Sequence, residues 1–121
     1  MNEIEKYSGL SLENKITYNN RIEEWDNFKG DGCAFLIFDI KKTYREDLKN
    51  KVKNKKWNEF GIDSNSPNFS SEIDISKHRE EVSEYLHNAK GFFLREQTEK
   101  EIRNILIDTT NNRLIYYYIL F

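Results

Sequence analysis

Arg103-Asn-Ile-Leu-Ile-Asp-Thr-Thr-Asn-Asn-Arg-Leu-Ile-Tyr-Tyr-Tyr-Ile-Leu-Phe121 sets two runs of β-branched and aromatic residues on either side of a polar Thr109–Asn112 break. Asparagine tolerates the left-handed backbone of tight turns, so the pair reads as a β-hairpin. The second run, Leu114 to Phe121, is apolar or aromatic at both alternating positions. Such a strand must be covered on both faces, so the extreme C-terminus is expected to be structural. Phe92 to Gln97 precedes this pair and extends it to a three-strand meander with Ile102–Thr109 and Leu114–Phe121. Thr98-Glu-Lys-Glu101 has capping-box spacing and offers a competing helix from Glu99 to Leu106. The β-rich run that follows favours the strand.

Outward from this hairpin, Cys33-Ala-Phe-Leu-Ile-Phe-Asp-Ile40 is a continuous apolar run of strand length, suited to the middle of a sheet. Residues 1–10 read as a loosely attached start. Leu12, Ile16, Ile22, Trp25 and Phe28 recur at near-helical spacing and predict a helix from Ser11 to Phe28, with Ser11 as N-cap and Gly30 past the end. Thr43-Tyr-Arg-Glu46 predicts a capping box opening a helix from Tyr44 to Asn58, with Tyr44, Leu48 and Val52 inward. Gly61 to Ser71 reads as a loop and Glu72–Ile75 as a short edge strand. Ser76 caps a third expected helix, Lys77 to Lys90, closed by Gly91. The fold class expected is α+β in one domain, 1–121. It has a largely antiparallel sheet of four to five strands, with two to three helices packed mainly on one face.

At 121 residues the chain can build a single core. Charged residues make up 33% and aromatics 14%, which implies an aromatic core beneath a charged surface rather than a disordered chain. A lone cysteine, Cys33, has no partner for an internal disulfide and reads as a small buried thiol. No apolar stretch approaches the ~18 residues of a membrane helix, and Met1-Asn-Glu-Ile-Glu-Lys6 lacks the parts of a signal peptide. The expected compartment is the cytoplasm. Asn, Lys and Ile are abundant while alanine appears only at Ala34 and Ala89, a codon bias that points to a low-GC bacterium or its phage.

Chemistry is sparse. Walker, dinucleotide and zinc-ribbon signatures are absent, and two histidines support no hydrolase triad. Asp39-Ile-Lys41 at a strand end resembles half of a metal-dependent nuclease site, but its second acid could only be Asp31, in a turn. Glu80, Glu84 and His87 share a face of the third expected helix, too few ligands for a metal centre. No metal, no cofactor and no catalytic residue are assigned, and an enzyme is the less favoured expectation.

The densest charged segment is Lys41–Lys56, where eight cations stand against Glu46 and Asp47. It carries +6 in a chain whose total is -2. Lys42, Arg45, Lys49, Lys53 and Lys56 recur every three or four residues and would line one helical face. Tyr117 lies on the opposite side of its strand from Tyr116 and Tyr118, and is a candidate aromatic contact. These six residues form the expected partner-binding set. The function expected is a small intracellular non-catalytic protein-binding module. Its most concrete form is an inhibitor or immunity-type protein of a bacterial or phage conflict system that neutralises a toxin or effector. The alternative is a nucleic-acid-binding or nuclease-like protein using the basic helix 41–56. A membrane partner is not expected, and a homodimer is compatible with the aromatic C-terminal strand.

Overall fold

The computed structural model describes residues 2–25, 32–53, 57–61, 81 and 84–120. In chain order these give α1 (Asn2–Ser8), β1 (Ile16–Trp25), β2 (Gly32–Ile40), a 3-10 turn (Lys42–Tyr44), α2 (Arg45–Lys53), β3 (Asn58–Gly61), β4 (Lys90–Gln97), β5 (Glu101–Asp108) and β6 (Arg113–Leu120). The six strands form one sheet in the order β1-β2-β6-β5-β4-β3, and every neighbouring pair is antiparallel. The class is α+β as expected, but the strand count is six rather than four to five.

The C-terminal meander is present as read. β5 and β6 pair from Glu101↔Leu120 to Asp108↔Arg113. In their turn Asn112 takes a φ of 56°, the left-handed conformation that asparagine tolerates. Asp108, fully buried, fixes the turn by accepting the backbone N–H groups of Thr110 at 3.0 Å and Asn111 at 3.1 Å.

Alternation sends successive side chains to opposite faces of the sheet, and both faces are covered. On one face Phe35 and Ile37 of β2, Leu106 of β5, and Ile115 and Tyr117 of β6 pack with Ile22, Leu86 and Ala89. On the other, Phe38 and Ile40, Ile105 and Ile107, Leu114 and Tyr116 pack with Ile4 of α1, Leu10, Leu12, and Leu48 and Val52 of α2. α1 and α2 therefore lie on this second face, while the stretch holding Tyr85, Leu86 and Ala89 covers the first. Gly91 is not a helix terminator. It lies in β4 opposite Asp108, where an added Cβ would meet the Ile107 carbonyl oxygen.

The largest difference from the sequence expectation lies within the expected Ser11–Phe28 helix, where the structure holds a strand, β1, over Ile16–Trp25. Ile16 and Ile22, six apart, would share a face in a regular strand. The register against β2 slips at Asn19, so Tyr18 faces Phe38 and Asn20 faces Ile37. This bulge turns Ile22 to the opposite face from Ile16, and both are buried. Spacing that reads as helical is here a strand with a bulge, and Asn19-Asn20 is a poor helix interior.

Three smaller corrections concern the ends of elements. Residues 2–8 are a docked helix, with Ile4 3% exposed. Thr43 lies inside the 3-10 turn, Lys41 stands at its cap, and no side chain caps it. α2 ends at Lys53, and Asn58 opens β3 rather than closing a helix. Of the third expected helix, Glu81, Glu84 and Tyr85 are helical and Lys90 already belongs to β4. The expected loop beyond Gly61, the Glu72–Ile75 strand, Phe28, Gly30, Asp31, His78, Glu80 and Val82 lie outside the described residues.

Candidate functional site

The expected partner-binding residues divide into two groups. Lys42, Arg45, Lys49 and Lys53 come together on the 3-10 turn and α2, side by side along a segment whose Leu48 and Val52 point into the core. Lys42, Arg45 and Lys53 are exposed and Lys49 is half-buried. The Arg45 guanidinium reaches back to the Ile40 carbonyl oxygen at 3.4 Å. Lys56 lies outside the described residues. Tyr117 is elsewhere: it is 1% exposed and stacked on Phe35 at 4.9 Å with 13° between the rings. Its face of β6 is the one covered by Leu86 and Ala89, so its ring is engaged within the core.

The acids of this segment are not shared evenly among its cations. Asp47 takes Lys15 at 3.2 Å and Lys51 at 3.3 Å, on the flank of α2 away from the stripe. The hydrogen bond from Lys15, reinforced by Lys51, holds the Asp47 carboxyl below its usual range. Among the described residues none is ion-paired with Lys42, Lys49 or Lys53. The stripe therefore presents positive charge on a fixed scaffold.

A second constellation was not anticipated. Arg103 of β5 holds Glu101 with two parallel bonds, Nε to Oε1 at 3.1 Å and Nη2 to Oε2 at 3.2 Å. Its Nη1 also donates to Glu3 of α1 at 2.6 Å, and the Tyr116 hydroxyl donates to the same Glu3 oxygen at 3.2 Å. Glu3, Glu101 and Arg103 line part of an open cleft of about 610 Å³ between α1, β4 and β5, with Lys6, Tyr7 and Glu96. Burial, with nearby carboxylates adding to it, pushes the Tyr7 hydroxyl up to about 12 and the Tyr116 hydroxyl higher still. Both phenols therefore stay protonated across the physiological range and act as hydrogen-bond donors. The cluster fastens α1 to the sheet. Glu3 was legible only as part of a loose N-terminus, so its long-range partner could not be found from spacing.

Asp39 is exposed on β2 and meets Asn19 Nδ2 at 3.0 Å and Arg113 Nε at 3.8 Å. Both contacts are to groups that hold a carboxylate, and neither supplies a second acid. Glu84 and His87 are exposed. Among the described residues no group of three or more acidic, histidine or cysteine side chains could hold a metal ion. No helix among them is long and apolar enough to cross a membrane.

A third feature is the outer strand β1. The exposed large hydrophobic side chains of the described residues are Tyr18, 60% exposed, and Trp25, 36% exposed, and both stand on this strand. Comparisons with protein-family models, with curated proteins and with solved structures find no match for this chain.

Proposed function

We propose that the chain is a non-catalytic protein-binding module whose basic stripe, Lys42, Arg45, Lys49 and Lys53, receives an acidic protein surface. The observation that carries this reading is the division of charge on α2. Asp47 is neutralised by Lys15 and Lys51, while Lys42, Lys49 and Lys53 have no ion pair among the described residues. Cations held on a rigid helix and left without acids suit long-range attraction of an opposite charge. A small inhibitor or immunity-type protein that neutralises a toxin or effector is the concrete form of such a module.

A nucleic-acid partner fits less well. Single-stranded nucleic acid favours aromatic stacking platforms interleaved with cations. Here the exposed large aromatics of the described residues, Tyr18 and Trp25, stand on β1, and neither is interleaved with the cations of the 3-10 turn and α2.

The experiment is affinity capture from the expressing cell with immobilised wild-type chain and with the Lys42→Glu, Lys49→Glu, Lys53→Glu triple variant. The expected result is a protein retained by the wild type alone and released as salt rises. Capture of nucleic acid in its place, or equal capture by both chains, would overturn the reading.

A further inference from the structure

The sheet has two edges of unequal character. β3 offers four residues and β1 offers ten. Among the described residues no strand pairs with the outer side of β1, and an edge strand of that length presents a row of backbone donors and acceptors for pairing.

The direction of those groups follows from the ladder. Lys41 N–H donates to the Lys15 carbonyl oxygen at 2.9 Å, and Ile40 N–H donates to the Asn112 carbonyl oxygen at 2.9 Å. Odd-numbered residues of β2 therefore face β1, and even-numbered ones face β6. Beyond the bulge, Asn20, Ile22 and Glu24 stand opposite Ile37, Phe35 and Cys33, and so bond inward. Arg21, Glu23 and Trp25 must then direct their backbone groups outward. In agreement, the Arg21 N–H takes its acceptor from the Asn20 side chain, at 2.8 Å, rather than from β2.

We infer that β1 pairs antiparallel with β1 of a second copy of this chain about a two-fold axis at Ile22, joining two six-stranded sheets into one. Charge selects this register. Centring on Ile22 places Arg21 of each copy opposite Glu23 of the other; both direct their backbone groups outward, and pairing requires the Arg21 N–H to exchange its Asn20 Oδ1 acceptor for the Glu23 carbonyl oxygen of the second copy. Centring on Arg21 or on Glu23 would oppose like charges. Within one chain Arg21 already meets Glu23 at 2.8 Å, and the Trp25 indole N–H donates to the same carboxylate oxygen at 3.1 Å. These two contacts, the indole first, hold the Glu23 carboxyl below its usual range and so keep it charged.

The same register makes a second match that charge did not select. It brings Trp25 of one copy across from Asn19 and Tyr18 of the other, at the bulge. Trp25 contacts Tyr118 at 5.9 Å between ring centroids, and Tyr18 contacts Phe38 at 6.0 Å, so both rings stand on one face of the sheet. The two exposed aromatic side chains of β1 thus meet across the axis, twice. Edge charges ordinarily oppose strand addition. Here they oppose the other registers and permit one.

The test is analytical ultracentrifugation of the full chain over a graded concentration series. Wild type is expected to shift from monomer to dimer. Arg21→Glu, which sets a carboxylate against Glu23 of the other copy, should abolish the dimer, and adding Glu23→Arg should restore it by reversing both charges of the pair. Glu23→Pro removes an N–H that points away from β2, so it should leave the fold intact by circular dichroism and abolish the dimer. A wild type that stays monomeric at every concentration would overturn the inference. So would a dimer indifferent to both Arg21→Glu and Glu23→Pro.

Discussion

Strands β6 and β1 are both tyrosine-bearing, and they differ in nearly everything else. In β6, Leu114 to Tyr117 are all buried, with hydrogen-bonded neighbours on either side. In β1 only Ile16 and Ile22 are buried, one on each face, and the outer edge has no described neighbour. The central strand is apolar at every position from Leu114 to Leu120 because both of its surfaces are interior. The edge strand mixes Arg21, Glu23 and Glu24 with Tyr18 and Trp25, and most of its side chains are exposed or half-buried. Position in the sheet, not aromatic content, separates the strand that holds the molecule together from the one at the edge of the described sheet.

The sharpest way to break this contrast is to remove a large side chain from the centre. Tyr117→Ala deletes a ring buried between the β2 and β5 side chains, and should cost about 3–5 kcal/mol in urea unfolding. A loss below about 1 kcal/mol would mean that the ring is not packed as described. Asn104 tests the same core in the opposite direction. It is fully buried on β5 opposite Tyr117, and among the described residues neither its amide nitrogen nor its oxygen has a hydrogen-bond partner. Asn104→Leu, which keeps the branched heavy-atom skeleton, should raise stability by about 1–3 kcal/mol, because it removes unpaired polar atoms from an apolar site. Unfolding midpoints of the two chains decide it.

Alkaline titration probes the fastening of α1. Tyr7 has its pKa raised from 10.0 to about 12 by burial, so the folded state keeps a proton that the unfolded chain releases. The stabilisation is complete below pH 10 and should be lost as pH rises from 10 towards 12. Tyr7→Phe should flatten that decline, followed as thermal midpoint against pH. At the small end of the scale, Tyr18→Ala on the exposed edge should change monomer stability by no more than about 0.5 kcal/mol.

The sequence carried the meander and β2 because each is a run whose local propensity, alternation and turn residues agree with its place in the sheet. It placed Lys42, Arg45, Lys49 and Lys53 along one segment because a spacing of three and four survives whether that segment begins as a 3-10 turn or an α-helix. β1 was not legible as a strand. One extra residue at Asn19 shifts the alternation, and the remaining apolar positions then mimic a helical face. α1 was not legible because its anchors, Arg103 and Tyr116, lie about a hundred residues away in the chain. Tyr117 was legible as facing away from its tyrosine neighbours, but not as buried, since which face is covered is decided by segments that pattern alone does not place.

Residue-resolved native-state hydrogen exchange on dilute protein tests most directly the division between a sealed centre and an open edge. The account predicts that the amides of Ile115, Tyr116 and Tyr117 exchange only through global unfolding. It predicts that those of Glu23 and Trp25 exchange far faster than those of their neighbours Ile22 and Glu24, which bond to β2. Equal protection of all four β1 amides in dilute protein would show that the outer edge is already covered within one chain, and would contradict it.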